Sequence, residues 1–366
     1  MAKLRRQSLT EYGAPLCETV VNLPEPRGTE VLVRIGRCGV CHSDLHMQDG
    51  YFLLGDDKKL DVRGGRTLPF TLGHEITGMI ESAGPEAAQA LEREGGAASS
   101  LDAGRTVAVY PWIGCGKCAA CARGEENICA APRYLGIQVD GGYASHVLLP
   151  HPRYLIDYAP LPASLAAALM CSGLTAYAAF RRFAAYPEHV KHGPVLLVGM
   201  GGVGMMGLAI ACRMFPHAPI VADIDPNKRE VALASGAQAA FDPADAGARK
   251  AIMARTGGGV LAAVDFVGSD RSLTFATGAI AKGGRVVVTG LFGGTFTMPV
   301  AMFGLKAMGI EGTQTGTLAE AREVVALARS WKLSPPPMSE RPLADAQAVL
   351  DDLRAGRVVG RVVLTT

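Results

Sequence analysis

Nine consecutive positions near the N-terminus, Cys38 to His46, contain two cysteines, two histidines and an aspartate in the string CGVCHSDLH. Thiolates and imidazoles are common zinc ligands, and imidazoles and carboxylates hold or move protons near neutral pH. Farther along, LGHEITG supplies His74 and Glu75, and MCSGLTAY supplies Cys171. Two thiolates and one imidazole leave the fourth tetrahedral position free for water or substrate. Cys41, His74 and Cys171 are therefore predicted to bind a catalytic zinc ion.

Four further cysteines lie in one short string, CGKCAACARGEENIC, with the spacing C-x2-C-x2-C-x7-C. Four thiolates complete a tetrahedral zinc shell and leave no open position, so a structural site is predicted. An iron–sulfur cluster is the alternative, although the run lacks the fourth spacing and the following proline of the ferredoxin pattern. Four unrelated thiols are the remaining interpretation. The predicted structural ligands are Cys115, Cys118, Cys121 and Cys129.

A glycine-rich turn, GMGGVG, follows the apolar run VLLV and precedes a predicted helix, as in the dinucleotide-binding fingerprint. Gly199 permits the tight turn, Gly201 lets a pyrophosphate approach the helix N-terminus, and Gly204 allows close helix–strand packing. Asp223 ends the next apolar strand, where a carboxylate binds ribose hydroxyls and repels a 2′-phosphate. Asp223 therefore predicts a preference for NAD over NADP, which the nearby Lys228 and Arg229 are expected to weaken. The alternative is a glycine turn in an α/β domain that binds no dinucleotide.

The bulk composition narrows the class of protein. The 366 residues are 49% hydrophobic and 19% charged, and their net charge is +2, which indicates a globular, two-domain protein without a basic surface for nucleic acid. No run of about 18 apolar residues is uninterrupted, so no membrane span is predicted. The charged N-terminus lacks the apolar core of a signal peptide, which favours a cytoplasmic location. Because the cytoplasm keeps thiols reduced, clustered cysteines are interpreted there as metal ligands rather than as disulfides.

The pattern of predicted elements changes along the chain. In the first part, short alternating strands punctuated by Gly and Pro indicate a β-rich domain, whereas helices alternate with apolar strands after LPASLAAALMCSGLTAYAAF. That alternation is typical of a doubly wound parallel sheet. An α/β fold is predicted, with one domain formed by 1–170 and 311–366 and the other by 171–310. Segments 53–67 and 86–103 are predicted to be solvent-exposed loops.

The remaining cysteines and two lone histidines receive structural interpretations. Cys38 lies in a predicted strand and is expected to be a buried thiol that packs in the core, and the same is expected of Cys17 and Cys212. His192 and His217 are more typical of surface residues than of metal ligands, so neither is given a role.

The motifs GVCHSDLH, GHE, the four-cysteine loop, CSGLTAY and GMGGVG, followed by Asp223, resemble in this order the zinc-dependent medium-chain alcohol dehydrogenases over essentially the whole chain. The strings GVCHSDLHMQDGYF and PRYLGIQVDGGYA most resemble the tetrameric bacterial and archaeal branch of that family. The resemblance implies a GroES-like catalytic domain, a Rossmann NAD-binding domain, two zinc ions per chain and a homotetramer, or a homodimer.

The resemblance also implies roles for individual residues. Asp44 matches the carboxylate that orients the imidazole of His74, and Glu75 matches a glutamate beside the metal. Ser43 and His46 match a proton relay from the substrate oxygen, through the cofactor ribose, to solvent. The residues that match pyrophosphate contacts are His42 and Arg361.

The implied reaction is reversible hydride transfer between a primary or secondary alcohol and NAD, giving an aldehyde or ketone. One hypothesis is an apolar substrate pocket lined by Trp112, Phe52 and Ile137. The alternative is that these side chains only pack in the core. One rival is a zinc-free quinone or enoyl reductase of the same superfamily, which has no need of the three predicted ligands. The other is a non-enzymatic NAD- or zinc-binding protein, which would be expected to lack one of them.

Overall fold

The first part of the chain forms antiparallel strands, as its alternating pattern predicts. The computed structural model describes residues 2–366. In the strand Val31–Gly39, Val33 and Ile35 are buried and Arg34 between them is exposed, because successive side chains point to opposite faces of a sheet. The strands of this part are β1 (Lys3–Leu9), β2 (Cys17–Asn22), β3 (Val31–Gly39), β4 (Tyr51–Gly55), β5 (Lys58–Asp61), β6 (Phe70–Thr71), β7 (Glu75–Ala83), β8 (Thr106–Val109), β9 (His146–Leu149) and β10 (Leu155–Ile156).

The parallel sheet predicted for the middle of the chain is present. Its strands are β11 (Leu196–Val198), β12 (Ile220–Ala222), β13 (Ala239–Phe241), β14 (Val260–Asp265), β15 (Ile280–Val288) and β16 (Gly309–Gly312). Their order is β13-β12-β11-β14-β15-β16, and neighbouring strands are parallel. This is the order 3-2-1-4-5-6 of a Rossmann fold, which binds its ligand where the order reverses, at the carboxyl ends of the strands. That point lies between β11 and β14.

The end of the chain returns to the first sheet. Its strands are β17 (Met338–Pro342) and β18 (Arg361–Thr365). In β18, Val363 lies opposite Gly39 of β3 in an antiparallel pair. Among residues 2–366 the resulting seven-stranded sheet has the order β10-β8-β7-β3-β18-β17, with β9 also paired to β3. The C-terminal strand therefore completes the N-terminal, β-rich part of the molecule.

Helices cover both faces of the parallel sheet and flank the antiparallel one. They are α1 (His42–Asp49), α2 (Ala87–Arg93), α3 (Ala119–Ala122), α4 (Ala163–Ala168), α5 (Leu174–Arg181), α6 (Pro187–Lys191), α7 (Gly202–Met214), α8 (Pro226–Ala234), α9 (Ala248–Thr256), α10 (Asp270–Ala279), α11 (Ala301–Lys306), α12 (Leu318–Trp331) and α13 (Ala346–Arg354).

The helical run Ala163–Ala185 joins the two parts of the molecule. By length and composition this run could cross a membrane. However, 94% of its most apolar 18-residue stretch is buried inside the fold, so its apolar side chains pack in the protein core. Between α4 and α5 the run widens into a π turn at Leu169–Gly173. Such turns occur often at functional sites, and this one carries Cys171.

The solvent exposure predicted for 53–67 is confirmed, but the prediction of a loop was wrong for 53–55 and 58–61, which form strands. Strands β4 and β5 pair as a hairpin because Asp56 and Asp57 adopt φ values of 50° and 59°, which suit a tight two-residue turn. The hairpin reaches the nucleotide-binding half of the molecule, where the Thr295 hydroxyl donates to the Asp56 carboxylate at 3.0 Å. The segment is therefore an ordered bridge between the two halves.

The loop predicted over 86–103 was also wrong in part. Its alanines favour helix formation, and α2 forms there with Ala87 and Ala90 buried. A short 3-10 turn follows at Ala98–Leu101. This segment contributes packing to the β-rich half.

The three cysteines predicted to be buried have different environments. Cys38 is fully buried in β3, as predicted. Cys17 is exposed, so that prediction was wrong. It begins β2, an edge strand that pairs with β1 among residues 2–366 and exposes most of its side chains. Cys212 is half-buried in α7.

Candidate functional site

Three separate parts of the chain bring four metal-binding side chains together. The ligand atoms of Cys41, His74, Glu75 and Cys171 all lie within 4.8 Å of one another, and all four residues are buried. Cys41 is the residue before α1, His74 and Glu75 mark the start of β7, and Cys171 lies in the π turn. The fold thus places these predicted site residues in one group.

The geometry of this group fits zinc. The sulfurs of Cys41 and Cys171 are 4.0 Å apart. Two zinc–sulfur bonds of about 2.3 Å at a tetrahedral angle separate their sulfurs by about 3.8 Å. Within residues 2–366, both ring nitrogens of the buried His74 and the Oε1 atom of Glu75 have no hydrogen-bond partner, although Nδ1 lies 3.4 Å from Asp44 Oδ1. Because buried polar atoms in folded proteins are nearly always paired, these orphaned atoms indicate a missing ligand, and a metal ion satisfies an imidazole nitrogen among thiolates.

The four side chains differ in their protonation tendencies. The neighbouring Cys41 sulfur, and then burial, raise the pKa of the Cys171 thiol well above its ordinary value. Contact with the Cys171 sulfur, helped by His74, lowers the pKa of the Cys41 thiol well below its ordinary value. Burial raises the pKa of Glu75 to about 7, because a carboxylate is poorly solvated there. Burial alone would lower the pKa of His74, but the Asp44 carboxylate and the Cys41 sulfur together outweigh burial and raise that pKa well above its ordinary value.

Asp44 links two of these side chains. It is fully buried in α1, and one of its oxygens, Oδ1, lies 3.4 Å from Nδ1 of His74. Its other oxygen, Oδ2, accepts the backbone N–H of Cys41 at 2.9 Å and the hydroxyl of Tyr143 at 2.8 Å. Tyr143 was missed by the sequence analysis, since nothing in the string GGYASH indicates where its hydroxyl points.

The four-cysteine loop forms a second, separate group. Its sulfurs all lie within 4.8 Å of one another, with Cys118 at 3.5 Å from Cys121 and 3.8 Å from Cys129. Backbone N–H groups of Cys121 and Ala130 lower the pKa of Cys118 to about 6, which favours a thiolate. The fourth member, Cys115, donates its backbone N–H to the Cys129 sulfur at 3.2 Å. Four converging sulfurs fit a closed zinc shell.

The predicted proton-relay residues lie on α1. Ser43 and His46 are three positions apart and therefore share a helix face, and both are partly exposed. The His46 ring lies 5.8 Å from the ring of the exposed His42 and 4.5 Å from that of Phe52. Burial, and then His42, lowers the pKa of His46, so its imidazole is mostly neutral at pH 7 and can accept a proton.

The glycine turn lies at the carboxyl end of β11, at the point where the strand order reverses. Gly199 has φ of 92°, a conformation that favours glycine, and a Cβ at Gly204 would overlap the Gly199 carbonyl. Asp223 follows β12, and its carboxylate accepts the backbone N–H of Met200 at 2.6 Å. Lys228 lies 4.0 Å from Asp225. Asp223 is thus held against the glycine turn, at the carboxyl ends of β11 and β12.

Arg361 connects the two halves of the site. Its guanidinium pairs with the Glu75 carboxylate, and both side chains are buried. A Cβ built at Gly202, the first residue of α7, would lie 2.6 Å from Nη1 of Arg361. The arginine therefore touches the metal-binding group on one side and the N-terminus of the glycine-turn helix on the other. The ion pair with Glu75 was not foreseen from the sequence.

Comparisons with known proteins agree with this architecture. Residues 27–160 match the family model of the alcohol dehydrogenase GroES-like domain, and 202–330 match that of zinc-binding dehydrogenases. The chain is 34% identical to a NAD-dependent alcohol dehydrogenase of Sulfurisphaera tokodaii, over 99% of both proteins. The chain belongs to the zinc-type medium-chain alcohol dehydrogenases.

Other members of the family are similar over their whole length. A D-arabinose 1-dehydrogenase (NADP(+)) of Saccharolobus solfataricus is 29% identical, with 100% of this chain and 98% of that protein covered. The crystal structure of the alcohol dehydrogenase of the archaeon Aeropyrum pernix superposes with a TM-score of 0.84 at 30% identity, covering 99% of this chain and all of that one. The GroES-like and Rossmann folds expected from the sequence are thereby confirmed.

Two of the three apolar residues predicted to line a substrate pocket, Trp112 and Phe52, lie against predicted site residues. The Trp112 ring is 5.4 Å from that of His74, and its indole N–H donates to the Met170 carbonyl at 3.0 Å. Phe52, in the hairpin, contacts the His46 ring. Ile137 is partly buried against the core, and its backbone N–H donates to the Tyr134 carbonyl at 3.2 Å. Trp112 is itself 3% exposed, so it packs in the core and also borders the metal-binding group.

Proposed function

We propose that this chain catalyses reversible hydride transfer between a primary or secondary alcohol and NAD, giving an aldehyde or ketone. The observation that carries the proposal is the convergence of Cys41, His74 and Cys171, an open zinc set, in a fold whose Rossmann crevice is linked to it by Arg361. Family membership supports the same activity, since the relative of Sulfurisphaera tokodaii is a NAD-dependent alcohol dehydrogenase.

The proposed metal content is two zinc ions per chain. Cys41, His74 and Cys171 hold the catalytic ion, with Glu75 beside it, and the four-cysteine loop holds the structural one. When bound, the catalytic ion lowers the pKa of an alcohol hydroxyl and polarises a carbonyl group. Asp44 Oδ1 lies 3.4 Å from Nδ1 of His74, so the Asp44 carboxylate would orient the imidazole from that side and the other ring nitrogen, Nε2, would bind the ion.

The proposed path for the substrate proton runs along α1. Ser43 takes the proton from the substrate side and His46 delivers it to solvent, with the cofactor ribose between them. The lowered pKa of His46 suits this role, because a neutral imidazole accepts protons at pH 7. Phe52 covers one face of the His46 ring and limits its movement.

The proposed cofactor is NAD, and the nicotinamide ring accepts the hydride. Asp223 is 8% exposed and is held by Met200, so its charge stays beside the ribose position and repels a 2′-phosphate. Lys228 faces Asp225, which reduces its attraction for such a phosphate. Gly199, Gly201 and Gly204 shape the pyrophosphate turn, and His42 and Arg361 approach it from the other half of the site.

The rival functions are less compatible with this geometry. A zinc-free quinone or enoyl reductase has no need of two thiols and an imidazole converging in a buried space, where His74 Nε2 stays unpaired without a ligand. A non-enzymatic NAD- or zinc-binding protein has no need of an open ligand set beside a partly exposed His46. Both rivals predict no alcohol-dependent NAD reduction.

A homotetramer, or a homodimer, is the proposed assembly. Strand β16 forms the outer edge of the parallel sheet and leaves one row of backbone groups without a strand partner among residues 2–366. Leu291, Phe292, Val300 and Leu305 precede it and are each at least 57% exposed. A second copy of the chain would cover both features. A cytoplasmic location is proposed because the metal-binding thiols require a reducing compartment.

The test of this function is a panel of alcohols assayed for NADH formation, run together with elemental analysis of the purified protein. We expect two zinc ions per chain, activity with primary or secondary alcohols, and catalytic efficiency with NAD more than about tenfold above that with NADP. Activity that persists after chelation of the catalytic ion would contradict the zinc proposal. Equal efficiencies with both cofactors would remove Asp223 from it.

A further inference from the structure

We propose that Tyr143 is a positioning residue that acts through Asp44 to hold His74 in the geometry that binds the catalytic metal. The inference rests on the zinc site proposed above and adds a residue that lies outside the ligand set. Tyr143 is fully buried, and its hydroxyl donates to Asp44 at 2.8 Å. The chain of contacts is therefore Tyr143 to Asp44 to His74.

The two carboxylate oxygens of Asp44 contact different groups. Oδ2 accepts two donors, the Tyr143 hydroxyl and the Cys41 backbone N–H at 2.9 Å. Oδ1 faces His74 Nδ1 at 3.4 Å and accepts the backbone N–H of Gly73 at 3.3 Å. Since Oδ2 is fixed from two directions, the carboxylate plane is fixed, and Oδ1 is directed at the imidazole.

The Tyr143 ring is itself held in place. It lies against Gly73, whose φ is 94°, and a Cβ on that glycine would overlap the ring. The backbone N–H of Tyr143 donates to the Leu72 carbonyl at 2.9 Å. The tyrosine thus contacts both the carboxylate that orients His74 and the backbone immediately before His74. Burial also raises the pKa of Tyr143, so its hydroxyl keeps the proton that it donates.

Loss of the hydroxyl would act on the metal ligands. Asp44 and Tyr143 are both 0% exposed, so no solvent is at hand to replace the missing donor. Oδ2 would then keep one donor of its two, and the carboxylate would be free to rotate away from His74. Removing a direct partner of a metal-binding histidine typically costs 10- to 100-fold in metal affinity, and Tyr143 acts one contact farther away, so about tenfold is expected.

The experiment compares Tyr143→Phe with Tyr110→Phe. Tyr110 is also fully buried, and its hydroxyl donates to the Gly316 carbonyl at 2.9 Å, so each variant loses one buried hydrogen bond. Two quantities are measured on the full-length holoenzyme. The first is the rate at which each of the two zinc ions is lost to a chelator, and the second is the set of absorption bands of protein whose catalytic ion is replaced by cobalt. Cobalt bands report ligand geometry independently of turnover.

We expect Tyr143→Phe to lose one of its two zinc ions about tenfold faster than wild type and to shift the cobalt bands. Tyr110→Phe should match wild type in both measurements even where the melting temperatures of the two variants fall equally. Wild-type rates and bands in Tyr143→Phe, or equal changes in both variants, would overturn the inference. A wild-type protein that holds zinc only in the four-cysteine loop would instead overturn the proposed function.

Discussion

The two groups of metal-binding residues are built in opposite ways. The four-cysteine loop collects its sulfurs from 115–129, lies partly in solvent, and supports the Cys118 thiolate with the backbone N–H groups of Cys121 and Ala130. The group of Cys41, His74, Glu75 and Cys171 collects side chains from three elements, is enclosed by the fold except for small exposed parts of Cys41 and Cys171, and depends on Asp44 and Arg361 for orientation and charge. A local loop can form its site with little help, whereas the enclosed group exists only when the whole fold is in place.

The largest expected effect comes from removing a ligand of the enclosed group. Cys171→Ala should lower turnover by at least about 10³-fold, because a metal ion contributes several kcal/mol to charge stabilisation in the reaction. Elemental analysis should still find the ion of the four-cysteine loop. Cys38→Ala is the matched control, since it removes another fully buried thiol and should keep turnover within a few-fold. Equal losses in both variants would mean that burial, and not metal binding, explains the effect.

The next effect separates proton transfer from metal binding within the enclosed site. Ser43→Ala should lower turnover by about 10²-fold, the low end of general acid–base contributions, while both zinc ions stay bound. The check is steady-state kinetics together with zinc content. Full activity would exclude Ser43 from the proton path, and loss of zinc would mean that the serine supports the ligands.

The same contrast explains what the sequence could predict. The spacing of the four cysteines is a local property, so it points to its site directly, and the glycine turn between an apolar strand and a helix does the same for the Rossmann half. Tyr143 could not be found this way, because its contact with Asp44 depends on the conformation of Gly73 and on the pairing of distant segments. The ion pair of Arg361 with Glu75 likewise requires β18 to lie beside β3.

The hairpin at 51–61 was missed for a related reason. Its turn is formed by two aspartates at positive φ, without the glycine that usually signals such a turn, and its strands are short and mostly exposed. Part of its support is the Lys59 ammonium, 3.8 Å from the centre of the Tyr51 ring. Polar composition alone therefore indicated a loop where cross-strand contacts form ordered structure.

A smaller effect is expected at the wall of the enclosed site. Trp112→Ala removes the ring that packs 5.4 Å from His74, so it should change the relative rates along a series of alcohols of increasing size by about tenfold. The measurement is kcat/KM for each alcohol, normalised to the smallest one. Unchanged relative rates, with all rates lowered alike, would show that Trp112 only packs in the core.

The smallest effect on turnover is expected in the four-cysteine loop. Cys118→Ser opens a shell that touches no substrate, so kcat per folded molecule should change less than about twofold, whereas loss of the structural ion should lower the melting temperature by roughly 10 °C. Lys117→Ser changes the exposed neighbour and should alter neither quantity. The two sites are independent if Cys118→Ser retains the ion held by Cys41, His74 and Cys171. Simultaneous loss of both ions would show instead that the folded loop stabilises the enclosed group. Tyr134 connects the two, because its hydroxyl donates to the Glu126 carbonyl in the loop and its ring packs on Trp112.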